Sequence, residues 1–465
     1  AGDAVTDADF NVAVGHKALT TNVLGSKSTA IGNSALETQN PASATDMHNV
    51  AIGTSAGEKV TTGVRNTLIG STAGDAITTG NQNTIIGEGA GTALTDADYN
   101  AVLGRAALAA DTKGSRSTAL GYNALGTQNF TSATETYNTA VGYEAGQAVT
   151  TGVENTLVGG LAGDELTDAD FNTAIGSKAL ETDTQGSKAT AVGRNALKNQ
   201  NFSSATDSHN VAVGFEAGLS ITTGVQNTFI GSQAGDSETS GSRNVAVGFG
   251  AGADMNTATT AYNTFVGYYA GLLVTNGFQN TFIGGTAGDA CTTGDQNVCI
   301  GYESDVDNSN RVNAVALGQG IGTFAADNTF RVQGSGGVYH TGNTSSWSTT
   351  SDERIKKNIT DSTVGLADIN KIKVRNFEYR TADEITDSAL QAYDKTQLAV
   401  SMSGKQVGCI AQELETVLPN AVIEDDRGVK NVQVDEIHWH MIKAIQELSA
   451  KNDALEARIK TLEGS

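Results

Sequence analysis

The pentapeptide NTLIG (Asn66–Gly70) decides how this chain folds, because it returns 17 residues later as NTIIG (Asn83–Gly87) and then, varied, along two thirds of the sequence. NVAVG ends at Gly15, NTAVG at Gly142, NTFIG at Gly231 and NVCIG at Gly301. Eighteen such closing glycines run from Gly15 to Gly318, and of the seventeen intervals between them thirteen are 17 residues, three are 21 and one is 19. A fixed period of that length marks a solenoid in which each repeat is one coil stacked on the next. The longer intervals carry insertions such as ETQNPASATDMHN, GTQNFTSATETYN and KNQNFSSATDSHN, which read as loops protruding from one side.

The two residues before each closing glycine are apolar, as in Ala13-Val14, Leu68-Ile69 and Phe229-Ile230. Neighbours on a strand face opposite sides, so this strand is apolar on both faces and needs two covers. One face fills the interior of the coil and the other needs another chain. Seventeen residues give only about 56 Å of contour, too little to enclose a wide core. Eighteen coils at about 4.8 Å each predict a rod of very roughly 85 Å. A second mark follows sixteen of the eighteen glycines, Ala three residues on and then Leu or Gly, so a coil is expected to hold two short strands and two turns. Asn occupies the first position of the pentapeptide in 14 of 18 coils, a spacing that predicts an amide ladder between coils.

Composition agrees with a stacked repeat: 55 glycines, two prolines and 6% aromatics in 465 residues. A formal charge of −22 excludes nucleic-acid binding through a basic face. Three cysteines, Cys291, Cys299 and Cys409, are too few for a disulfide framework. No apolar run reaches membrane-spanning length, so no membrane insertion is expected. The first coil is already in phase, which suggests a piece of a longer polypeptide with an attachment domain upstream. The repeats TDADF (Thr6–Phe10 and Thr167–Phe171) and TDADY (Thr95–Tyr99) place two Asp residues two apart, a possible Ca²⁺ pair. Asp and Thr also favour the turn before a strand, and that reading is preferred. His16, His48 and His209 lie in different coils without ligand spacing, and no phosphate loop occurs; neither metal nor cofactor is expected.

From Gln319 the period dissolves, and residues 319–350 read as a β connector. The charged stretch WSTTSDERIKKNIT (Trp347–Thr360) comes next. On local rules TSDE is a helix start, Thr350 as N-cap and Glu353 as its capping-box partner. Near the end, Ile445, Asn452 and Ile459 take one seam of a heptad and Met441, Leu448, Leu455 and Leu462 the other, which predicts a coiled coil over residues 436–465. His438 and His440, two apart on that helix, face different ways.

Residues 1–318 resemble the head repeats of trimeric autotransporter adhesins, parallel β-rolls packed three together; similar coils occur in phage fibres. SDERIKKNI (Ser351–Ile359), FEYR (Phe377–Arg380), VGCIAQELETVLPNAV (Val407–Val422) and the closing helix resemble the endosialidase-type intramolecular chaperone of phage tail spikes and fibres. EIHWHM (Glu436–Met441) and Cys409 depart from that pattern. The resemblance implies a homotrimer whose chaperone, residues 351–435, drives folding of the stalk and then cuts itself off between Thr350 and Ser351. It implies Ser351 as nucleophile and Lys356 as its base, with Arg354 in support. A lysine takes a serine proton only where burial or nearby cations lower its pKa, so cleavage would report assembly. The expectation is a mainly β, elongated parallel β-roll with a C-terminal α+β chaperone, serving host attachment in a virion through a surface receptor or glycan. Its only enzymatic activity would be self-cleavage. A bacterial cell-surface adhesin or filament with the same terminal domain, and a polysaccharide-degrading spike, are the alternatives.

Overall fold

The computed structural model describes residues 1–306, 309–321, 327, 330–332, 353–387, 404–424 and 428–464. The chain divides into two compact units, Ala1–Gly322 with Ala326–Arg331, and Thr323–Ala325 with Val332–Ser465. The first is a parallel β-solenoid. Each pentapeptide supplies one three-residue strand, and neighbouring strands pair parallel and in register: Thr67 opposite Thr84, Leu68 opposite Ile85, Ile69 opposite Ile86. With Phe330–Val332 they form one 19-stranded sheet.

The expected second strand per coil is largely absent. Two-residue ladders occur at Gly25–Ser26 with Thr45–Asp46, Gly114–Ser115 with Thr134–Glu135, and Gly186–Ser187 with Thr206–Asp207. Elsewhere the turns carry residues in the left-handed region, such as Thr72 (φ 56°) and Gln82 (φ 56°), which break an extended run. Their amides still bond across coils, Gly57 N–H to Ala73 O at 3.0 Å and Thr61 N–H to Thr78 O at 2.9 Å.

The closing glycines form a column that only glycine can fill. At Gly70 φ is +134°, and a Cβ there would lie 2.4 Å from the carbonyl oxygen of Gly87 one coil on. Beside that column runs the asparagine ladder, built differently from the expected amide stack. The buried Asn66 accepts the backbone N–H of Asn83 on Oδ1 (3.0 Å) and donates from Nδ2 to Gly80 O (2.8 Å). The same two bonds recur at Asn49, Asn83, Asn100, Asn138, Asn155 and Asn172. Side chain meets backbone here because a buried N–H left by the turn needs an acceptor.

Three side chains per coil fill the interior, and their sizes compensate. Six coils carry Leu in the turn: Leu19, Leu36, Leu108, Leu125, Leu180 and Leu197, all fully buried. The next strand then always presents Ala: Ala30, Ala51, Ala119, Ala140, Ala191 and Ala212. Where the turn has Gly, the next strand is free to carry Leu68, Ile85 or Phe229; a Cβ on Gly57 would meet Leu68 Cδ1 at 2.5 Å. The same six Leu coils place a buried polar residue three positions later: Asn22, Gln39, Asp111, Gln128, Asp183 and Gln200. These work in pairs. Gln128 donates to Asp111 Oδ2 (2.6 Å) and to Ser117 Oγ (2.9 Å), and accepts from Asn138 Nδ2 (2.8 Å). Ser117 stands in a coil that lacks the ladder Asn; Gln128 ties Ser117 to Asn138 through side chains, while the N–H of Asn138 turns to Thr136 Oγ1 at 3.4 Å. The insertions therefore do not simply protrude, since Pro41, Phe130 and Phe202 are buried while residues 42–44 are exposed.

The second unit has a small core of Leu414, Leu418 and Ala421, against which Val364, Ile369, Cys409, Val432 and Ile437 pack. Its helices are α1 (Leu366–Ile369), α2 (Ala411–Glu415) and α3 (Val434–Glu463). Arg375–Phe377 pairs antiparallel with Gln406–Gly408, and Val422–Glu424 with Lys430–Val432.

The ladder and one buried acid of the roll can each be tested by a single substitution. Asn155→Ala strands the buried N–H of Asn172 and the carbonyl of Ala169, and is expected to cost about 2 to 4 kcal/mol in urea unfolding. Asp164, half-buried with an unpaired Oδ1, has its pKa raised to about 6, first by burial and then by Glu181. Its folded pKa exceeds the unfolded value of 3.8, so its contribution to stability is full below pH 3.8 and is lost as pH rises through about 6. Asp164→Asn should therefore match wild type at pH 4 and melt at a higher temperature at pH 8, as read by circular dichroism.

Candidate functional site

Thr350 and Ser351, the expected scissile pair, lie outside the described residues. Arg354 belongs to a single 3₁₀ turn, Glu353–Ile355, rather than to the α-helix that local rules suggest. Lys356 comes next with its N–H on Glu353 O at 3.2 Å, and its side chain is exposed. Residues 353, 354 and 356 to 363 are exposed in the single chain.

C-terminal to this segment the chain is anchored on α3. The Glu447 carboxylate accepts the N–H of Leu366 at 2.9 Å, an N-terminal cap for α1 supplied from another helix. Leu366 and Ile369 face Met441, Ala444, Ile445 and Leu448 across a cavity of about 160 Å³. His440 lies with Nδ1 3.3 Å from Ser362 Oγ and Nε2 3.6 Å from Glu436. Ser362 also accepts the N–H of Val364, so this arrangement orders a turn. Sequence reasoning missed Ser362 and Glu447, because partners 78 and 81 residues apart leave no local pattern.

Two apolar surfaces have no cover in the single chain. On the roll, the residue before each closing glycine points outward, so Val14, Ile52, Leu103, Ile175, Ile230 and Ile300 are exposed in one row. On α3, both heptad seams are wetted: Ile445, Leu448, Leu455, Ile459 and Leu462 are each more than half exposed. Among the described residues Ala444 is the one buried side chain of that 30-residue helix.

A third surface recurs three times on the roll, wherever a 17-residue coil precedes a 21-residue one. In its fullest copy Arg116 Nε sits 3.0 Å from Glu135 Oε1, and its guanidinium lies over Tyr99 at 4.8 Å and Tyr137 at 5.8 Å. Tyr137 donates to the other Glu135 oxygen at 2.6 Å. The hydroxyl of Tyr137 and then Arg116 hold the Glu135 carboxyl below its usual range. At the equivalent positions of the other two copies stand Phe10, Lys27, Asp46 and His48, and Phe171, Lys188, Asp207 and His209, where the ion pairs Lys27–Asp46 and Lys188–Asp207 measure 2.6 and 2.5 Å. The signal was present in the sequence as GS followed by Lys or Arg, with an acid 19 residues on.

The TDAD repeats serve the stack. Asp98 Oδ1 accepts the N–H of Asn81 (2.6 Å) and Asp170 Oδ1 that of Val153 (2.8 Å), which supports the turn reading over a Ca²⁺ pair. Among the described residues no group of three or more His, Cys, Asp or Glu side chains is placed to hold a metal ion, and no helix is long and apolar enough to cross a membrane. The Cys291 thiol is buried, and that burial raises its pKa to about 12, away from reactivity.

No curated protein and no solved structure matches the chain. Residues 351–423 match the family model described as chaperone of endosialidase, and they contain the SDERIKKNI, FEYR and VGCIAQELETVLPNAV motifs. The chain therefore carries a chaperone of endosialidase near its C-terminus behind a long parallel β-solenoid, the build of a tail-spike- or tail-fibre-like protein.

Proposed function

We propose that the chain is a homotrimeric fibre segment for host-surface attachment, folded by its terminal chaperone, which then cuts between Thr350 and Ser351. One observation carries this reading: the outward row of Val, Ile and Leu along the roll, continuous in register, has no cover within one chain. Exposed apolar rows of that extent mark association, and a second copy presents the same row at the same spacing. The exposed seams of α3 support the same conclusion, because a core of Leu414, Leu418 and Ala421 is too small to pack a 30-residue helix along its length. Assembly would also bury the exposed segment around Lys356, and burial lowers a lysine pKa toward the range where it accepts the Ser351 proton. Ser351 Oγ then attacks the Thr350 carbonyl, the Thr350–Ser351 C–N bond breaks as the Ser351 amine takes the proton held by Lys356, and water hydrolyses the resulting ester to the Thr350 carboxylate and the free Ser351 hydroxyl.

Analytical ultracentrifugation of the full chain is expected to give a trimer, and Ile69→Asp with Ile86→Asp to shift it toward monomer. A monodisperse wild-type monomer sinks the proposal. On a denaturing gel the wild type is expected to yield a fragment ending at Thr350 and one beginning at Ser351, whereas Ser351→Ala and Lys356→Met stay full length. Cleavage that persists in Ser351→Ala removes the assigned nucleophile.

A further inference from the structure

We propose that the three aromatic, cation and carboxylate clusters of the roll are equivalent saccharide subsites that take neutral pyranosyl glycans. The inference rests on the attachment reading and gives it a place and a ligand class. Its first support is what the clusters cost. Phe10, Tyr99 and Phe171 occupy the left-handed region (φ 59°, 61° and 61°), which strains a bulky L-residue. That backbone position recurs in all eighteen coils and never carries Gly, the residue that would relieve it. Nor does burial compensate, since the three rings are 81%, 50% and 47% exposed. The ion pairs beside them are solvent-exposed, where such pairs add little stability. The strain is common to every coil, and what sets these three apart is an exposed aromatic ring one coil before a surface ion pair, a combination that returns little to the fold and indicates selection for contact with something else.

The chemistry of the clusters names the ligand. An open aromatic face receives the C–H side of a pyranose ring, which is apolar and weakly positive against the ring's negative face. A carboxylate accepts hydroxyl protons beside it, and Arg, Lys, His or the Tyr hydroxyl donates to hydroxyl oxygens. The cation in each cluster is already paired with an acid, and the chain carries a formal charge of −22, so an anionic glycan is disfavoured. The exposed tips of the insertions, residues 42–44, 131–133 and 203–205, adjoin the clusters in sequence. Counted in coils, the subsites lie roughly 24 and 19 Å apart along the stack at about 4.8 Å per coil. A polymer with repeating units can therefore engage more than one, and avidity multiplies weak single contacts.

The test compares the full-length chain with the triple variant Phe10→Ala/Tyr99→Ala/Phe171→Ala on immobilised neutral and acidic glycans and on a panel of bacterial cells. The wild type is expected to be retained on neutral pyranosyl glycans. Apparent affinity should drop about 100-fold in the triple variant and by no more than about 10-fold in each single variant. An unchanged melting temperature certifies the fold; if the triple variant misfolds, Lys27→Met/Arg116→Met/Lys188→Met replaces it. The proposal is overturned if no neutral glycan is held better by wild type than by variant, or if only acidic glycans are held. Cell binding that is equal in both proteins leaves attachment standing and removes the subsites. Neutral-glycan binding lost in the variant, with no cell bound by either, keeps the subsites and removes the attachment reading.

Discussion

Along the roll the ladder asparagines, Asn244 apart, each hold one coil to the next by a side chain that closes two backbone bonds at once, Oδ1 to the amide one coil on and Nδ2 to a carbonyl near it. Because the donor to Oδ1 is the corresponding residue of the next coil, the bond enforces register. The glycine column adds a steric version of the same rule, with each closing glycine seated on the carbonyl of its successor. Register of this strictness turns each position of the repeat into a straight column of side chains. The interior columns then have to fill space coil by coil, and the exterior columns become surfaces.

That division explains both the compensation inside and the chemistry outside. A Leu turn is followed by Ala in the next strand and brings a buried amide or acid with it, so the six Leu coils come as three adjacent polar pairs, two of which, Asp111–Gln128 and Asp183–Gln200, are bonded directly. The polar pairs are also where the chain lengthens from 17 to 21 residues and where the cation and acid of each surface cluster meet. Interior and exterior change together because one insertion does both jobs: it carries Gln39, Gln128 or Gln200 inward to bond the Asn of the next coil side chain to side chain, and Asp46, Glu135 or Asp207 outward.

Much of this was legible in the sequence. The period, the strand with two apolar faces and the parallel stack follow from the spacing of the closing glycines, and the structure bears them out. The second strand per coil was not legible, because the sequence does not show that residues such as Thr72 and Gln82 adopt positive φ. The ladder was anticipated as amide on amide and is amide on backbone, since only the structure shows which N–H each turn leaves open. Ser28 and Ser117 stand where the ladder Asn is missing, and each bonds a Gln 11 residues later, a pairing the spacing alone does not announce. In the terminal unit SDERIKKNI was recognisable, whereas the contacts of Glu447 and His440 depend on tertiary closure.

Repetition also creates a problem of alignment for any association through the outward row. Two rolls packed through their outward rows find nearly the same contacts when displaced by one coil, because the row repeats every 17 residues. The hydrophobic ridge thus rewards association without specifying alignment. Alignment has to come from elements that do not repeat: the unequal spacing of the three polar pairs within the roll, and a terminal unit that occurs once per chain. If three copies of that unit meet first, their junctions with the stalk begin in step, and the ridge closes coil by coil from a fixed end. A chain that slipped would bring the surface ion pairs and insertions of its longer coils beside the wrong neighbours, so the irregular coils are what make a single alignment better than the rest.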